Sequence, residues 1–232
     1  MGDTSERHID DGPVTDPSLR LVHERQYTVK AYRGDGSLVL HGEVRDSKPA
    51  AQFIAGDPDP VTIHAMDVEL TINVPDMVIG DVRVTMPTHP YLTCEDIVTH
   101  YRTLIGTSLT RGFSNRVREL FGGPRGCAHT TALIQAMAPV AMQAAWSGEP
   151  ADAAPKDLPA YRTRGGGGWA VSRHLNSCHV WSDTGEQVAA LRGGAPLETP
   201  IWLSARLRER AEADALPSMQ ASGEPSPQSD SA

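Results

Sequence analysis

The chain has 232 residues, with 29 acidic and 21 basic side chains, a formal net charge of −8 and 39% hydrophobic residues. That length bounds one domain with tails, or a domain plus a small appendage. The acidic balance and the lack of a Lys/Arg cluster exclude a nucleic-acid-binding face. No run of residues is long enough to span a bilayer.

The polar, acidic start from Met1 to Asp11 does not read as a secretion signal. Three cysteines in that context predict reduced thiols in a cytoplasmic protein without nucleic-acid or membrane partners.

Residues 1–19 are rich in Asp, Gly, Pro and Ser and read as a disordered lead-in. Arg25 to Tyr32 and Ser37 to Val44 alternate in strand fashion around Gly34-Asp35-Gly36, which predicts a β-hairpin. Asp57-Pro-Asp-Pro60 is a break. Val61 to Val74 is the longest strand candidate, with Met66, Val68, Leu70, Ile72 and Val74 on one face. Val78 to Met86 follows as a further strand. The first half is thus predicted as an antiparallel meander of about four strands.

The second half changes period. Cys94 to Leu104 reads as a helix with Thr93 as N-cap and acids in its first turn. A short helix is expected over Asn115 to Phe121, ended by Gly122-Gly123. A longer one is expected over Cys127 to Trp146, with Leu133, Ile134, Met137, Val140 and Ala141 on its apolar stripe. Pro139 should kink or split it.

Residues 148–168 read as a flexible Pro/Ala/Gly linker. Its Gly165–Gly168 run lacks the Lys-Ser/Thr of a phosphate loop. Cys178 to Val188 reads as a small hairpin, and Pro200 to Ala215 as a charged helix. The domain is placed at residues 20–190, an extension with a short helix at 191–215, and a disordered tail at 216–232. The class is α+β, an antiparallel sheet packed with C-terminal helices.

Arg125-Gly-Cys127-Ala-His129 is the most distinctive segment, a thiol and an imidazole two residues apart at a helix start. Free N–H groups and the helix dipole favour an anion or thiolate there. Cys94 also opens a helix, although ordinary burial is the default for a single cysteine. His64 stands in the longest strand, where a hydrogen-bonded core or edge histidine is the commoner finding. Cys178 and His179 are adjacent at the start of the expected hairpin, so at most one of them reaches a shared site. Asp46-Ser47-Lys48 follows the second strand and offers an acid and an amine. His89 and His100 are expected to be exposed.

These phrases, in this order, resemble a bacterial family known as domain of unknown function 2889. Its members carry an Asp-x-Lys-Pro turn, an Ile-His-x-Met strand, a Cys before a helix, an Arg-Gly-Cys-x-His helix start and a late Cys-His. The corresponding residues are Asp46 to Pro49, Ile63 to Met66, Cys94, Arg125 to His129, and Cys178-His179. The resemblance covers about Arg25 to Val188 and implies no activity.

The segment from Val61 to Trp146 also resembles, more remotely, the iron–sulfur scaffold proteins of the IscU/NifU kind. That resemblance implies a scaffold-like fold. It sets His64 at their Asp ligand, Cys94 at their middle Cys and Cys127 at their last Cys. Thr62 stands where their first Cys belongs, and His129 falls after the last Cys, not before it. A [2Fe–2S] cluster, which takes four cysteines in most proteins, suits this set less well than a single Zn, Fe or Cu ion.

The expected site is therefore a transition metal held by His64, Cys94 and Cys127, with His129 as fourth ligand or as a hydrogen-bond partner of a ligand. The expected function is a metal-dependent enzyme acting on a small-molecule substrate. In it the ion serves as Lewis acid or water activator, and Asp46 and Lys48 transfer protons or hold an acidic substrate. The alternatives are a metal or iron–sulfur carrier, and a metal-free Cys127 nucleophile with His129 as base. A homo-oligomer is compatible with all three.

Overall fold

The structure is a computed structural model and describes residues 18–110, 112–147, 171–172 and 174–215. The lead-in before Ser18, the linker with its glycine run and the tail after Ala215 lie outside the described residues. Contacts group the chain into two units, divided between Glu149 and Pro150.

The first unit is built on a four-stranded antiparallel meander in the order β1-β2-β3-β4. Its strands are β1 (Glu24–Arg33), β2 (Ser37–Lys48), β3 (Val61–Asn73) and β4 (Val78–Thr88). The β1–β2 hairpin turns where the glycines predict it. Gly36 takes φ +65°, a left-handed conformation that a side chain would strain. Alternation sorts one face inward: Leu38, Leu40, Val44 and Asp46 on β2, and Met66, Val68, Leu70 and Ile72 on β3, are buried.

A 3₁₀ helix (Leu92–Leu104), α1 (Phe113–Phe121) and α2 (Ala128–Ser147) follow the sheet. The 3₁₀ helix begins one residue before Thr93, with extended Tyr91 as its N-cap, so Thr93 does not cap it. Helix α2 runs unbroken from Ala128 to Ser147 with Pro139 inside it. A missing proline N–H removes one rung of the ladder, and packing of the apolar stripe holds the rest.

Leu133, Ile134, Met137 and Ala141 of α2 are fully buried. The stripe rests on β2 at Gly42, where a Cβ would come within 2.7 Å of Met137 Sδ and 3.1 Å of Leu133 Cδ1. A side chain at this position would force Met137 and Leu133 to shift. At its far end the helix offers the carbonyl of Ala144 to Arg33 Nη2 at 3.2 Å, a cation at the negative pole of the helix dipole.

From the Gly42 contact, four strand residues lead about 13 Å to Asp46, and eight helix residues lead about 12 Å from Met137 back to His129. The two elements therefore bring Asp46 and His129 to the same end of the sheet.

In the second unit, the hairpin expected over Cys178 to Val188 is not formed. A short 3₁₀ turn (His179–Trp181) and helix α3 (Glu186–Arg192) stand there, followed by α4 (Ile201–Ala215). Glu186 in the first turn and Arg192 in the last complement the dipole of Glu-Gln-Val-Ala-Ala-Leu-Arg. The strand-like look of Cys178 to Trp181 was too short to compete. Val171, Val188 and Leu191 form a small core there. Among the described residues no helix is long and apolar enough to cross a membrane.

Candidate functional site

Antiparallel register sets three polar residues side by side on the inward face. Arg25 of β1 pairs with Asp46 of β2, and Asp46 pairs with His64 of β3. A β-bulge follows at once: pairing passes from Asp46–His64 to Ser47–Thr62 and leaves Ile63 over. Such an extra residue twists the strand and re-aims its neighbours, a device common beside active sites. His64, the last residue in register before it, has Nδ1 3.3 Å from the Asp46 carboxylate.

Asp46 is the hub. Its side chain is 1% exposed, and a buried carboxylate needs compensation. Arg25 supplies a two-pronged pair, Nε to Oδ1 at 2.6 Å and Nη2 to Oδ2 at 2.7 Å. These hydrogen bonds hold the Asp46 carboxyl down at about 2 although burial pushes it up. The same contact raises the Arg25 guanidinium above its ordinary value.

Three imidazoles approach one oxygen, Asp46 Oδ2. His129 Nε2 lies at 3.0 Å, His64 Nδ1 at 3.3 Å and His23 Nε2 at 3.6 Å. The rings of His64 and His129 stack with centroids 4.0 Å apart. Burial lowers the pKa of His129, and the neighbouring His64 lowers it further against the pull of Asp46. The shift favours the neutral imidazole, the form that binds a metal or accepts a proton. His64 Nδ1 is buried and makes no hydrogen bond, so it is an unsatisfied nitrogen aimed at the carboxylate.

Cys127 sits on the opposite edge of the His129 ring, with Sγ 3.7 Å from Nδ1. The i, i+2 separation along a helix does not apply. Cys127 precedes Ala128, and its carbonyl accepts the first helical bond from Thr131 N–H at 2.9 Å. The buried Tyr101 hydroxyl fixes this helix start. It accepts the Cys127 N–H at 2.8 Å and lies 3.2 Å from both Cys127 O and Thr131 Oγ1. Burial raises the pKa of Tyr101.

Of the residues singled out in the sequence, His64 and His129 meet at this centre, and Asp46 is its middle. The ligand atoms of Asp46, His64 and His129 lie within 4.8 Å of one another. Among the described residues neither sulfur belongs to such a threesome: Cys127 faces the other nitrogen of His129, and Cys94 packs partly buried against the core. Lys48 turns to the segment before β1, where Nζ donates to Val22 O at 3.1 Å.

Cys178 is exposed in the second unit. His89 and His100 are half-buried, not exposed. His89 lies 3.3 Å from Glu95, and His100 stands edge-on to Phe121.

Arg25 and His23 were not anticipated as site residues. The hairpin held a signal for Arg25, since counting outward equally from the Arg33–Leu38 pair brings it opposite Asp46. A second group, His41, Glu43 and Asp67, lies on the other face of the sheet. It is half-exposed, as solvated charge clusters commonly are.

Asp46 Oδ2, His64 Nδ1 and His129 Nε2 could hold a single ion. Bonds of about 2.0–2.1 Å set tetrahedral ligand atoms about 3.3 Å apart; the two nitrogens lie 3.3 and 3.0 Å from Oδ2 and within 4.8 Å of each other. A carboxylate has about four lone-pair sites, so Oδ2 retains one beyond its bond to Arg25.

Comparison with curated proteins and with solved structures gives no match. The likeness to iron–sulfur scaffolds therefore rests on motif order alone. The profile of the family described as "Protein of unknown function (DUF2889)" matches residues 23–143, just over half of the chain, and the chain belongs to that family.

Proposed function

We propose that this protein is a metal-dependent enzyme acting on a small-molecule substrate, with a zinc or iron ion held by Asp46, His64 and His129. The observation that carries the reading is the unsatisfied His64 Nδ1, buried 3.3 Å from an oxygen that a second imidazole also faces. An ion between these atoms would satisfy that nitrogen. Two imidazoles and one carboxylate suit zinc hydrolases and mononuclear iron enzymes alike, and both keep positions open for water or substrate.

Such an ion supplies Lewis acidity, polarising a carbonyl or lowering the pKa of a bound water to about 7. The chain's own residues do the rest. Arg25 keeps Asp46 ionised and oriented, and Cys127 at Nδ1 of His129 directs Nε2 toward the centre. The alternative of a metal carrier is less favoured, because a buried carboxylate locked by arginine suits a retained ion better than one handed on. Chelator competition separates the two: an enzyme's ion exchanges slowly, whereas a carrier's passes rapidly to chelator or apo-acceptor.

A second reading is favoured by one specific alignment. Cys127 Sγ, His129 and Asp46 Oδ2 follow one another through the two nitrogens of a single ring, at 3.7 and 3.0 Å. That is the order of nucleophile, base and orienting acid in thiol catalysis. Alkylating Cys127 in metal-free protein decides between them. Metal uptake that survives alkylation leaves the sulfur outside the metal chemistry, whereas a thiol catalyst needs no metal and dies on alkylation.

A further inference from the structure

Resting on the metal reading, we infer that His23 is an exchangeable fourth ligand that closes the centre from the solvent side. The segment before β1 is pinned on both sides of this residue. Lys48 Nζ holds Val22 O at 3.1 Å, and Arg25 is locked to Asp46 by two hydrogen bonds. Between those anchors the His23 backbone is held beside the centre, and its Nε2 lies 3.6 Å from the oxygen that His64 and His129 face.

His23 differs from the other two imidazoles in exposure. Its side chain is 35% exposed, against 19% for His64 and 18% for His129. It also stands outside the threesome whose donor atoms are mutually within 4.8 Å. The inner pair is fixed by strand register and helix packing; His23 reaches the ion by turning an exposed ring on an anchored backbone. A ligand at the mouth is the one a substrate oxygen displaces. With His23 bound the ion would have four protein ligands, and displacement of His23 would open the position that water or substrate takes. This also gives Lys48 a role, since it positions the strap that carries His23.

The test uses the full chain, stripped of metal and titrated with Co²⁺. Wild type should give the intense visible bands of a four-coordinate ion. His23→Ala and His23→Gln should bind about tenfold or more weakly, with bands weakened as water raises the coordination number. Because His23 is exposed and precedes the strand, both variants keep the core intact.

Uptake that is lost in His64→Ala and His129→Ala, but is unchanged in affinity and spectrum in both His23 variants, overturns this inference alone. Wild type that takes up no Co²⁺ overturns the metal reading and this inference with it.

Discussion

Asp46 and His129, eighty-three residues apart in the chain, meet at 3.0 Å because helix α2 lies directly on Gly42 of the strand that carries Asp46. The site is therefore a consequence of how one helix is seated on one sheet. Gly42→Val should overpack this contact, costing about 1–3 kcal/mol. It should also weaken metal binding by lifting His129 from Asp46. Denaturant unfolding and Co²⁺ titration of the same variant check both effects; stability lost without any change in affinity would uncouple seating from site.

Asp46→Asn leaves the Arg25 guanidinium facing an uncharged amide. The side chain of Arg25 is 35% exposed, so solvent softens the penalty, and a loss of about 1–3 kcal/mol is expected. Arg25→Gln in the same background should recover part of it. Thermal or urea unfolding of the single and double variants measures the coupling.

The pH dependence of the metal-free protein follows from two depressed groups. His129 titrates lower in the fold than unfolded, so the unfolded chain takes up its proton first. Stability should begin to fall as pH drops below about 6.5. Asp46 moves from an ordinary carboxylate value to about 2, so its contribution is complete above about pH 4 and lost as pH falls toward 2. That second step amounts to about 2 kcal/mol and should vanish in Asp46→Asn. Unfolding curves between pH 8 and 2 reveal both limbs.

Tyr101→Phe keeps the packing and removes one hydroxyl. The Cys127 N–H then loses its acceptor at 2.8 Å, and the start of α2 should loosen at a cost of about 1–3 kcal/mol. Cys127 should react faster with a thiol reagent, while the rate for exposed Cys178 stays unchanged.

The meander was legible in the sequence because its signals are local. Gly34 to Gly36 set the hairpin, and alternation from Met66 to Ile72 set the buried face. His64 falls in phase with that face, and Cys127 and His129 lie where the helix start was expected. What the sequence hid is the partner of each.

Asp46 was legible as an acid in a turn, yet its burial depends on pairing with β3 across a long loop and a bulge whose offset no local pattern encodes. Cys94 and Cys127 drew attention as thiols, whereas the convergence is of a carboxylate with imidazoles. Cys178 to Val188 misled because a run as short as Cys178-His179-Val180-Trp181 cannot distinguish a strand from a 3₁₀ turn.

The measurement that bears most directly on the central claim is the elemental analysis and visible spectrum of protein purified without oxygen, for wild type and for His64→Ala. The account predicts close to one zinc or iron per chain in wild type and loss of most of it in the variant. Wild-type protein that remains metal-free after incubation with Zn²⁺ and Fe²⁺, or a His64→Ala variant that retains a full equivalent, would contradict it.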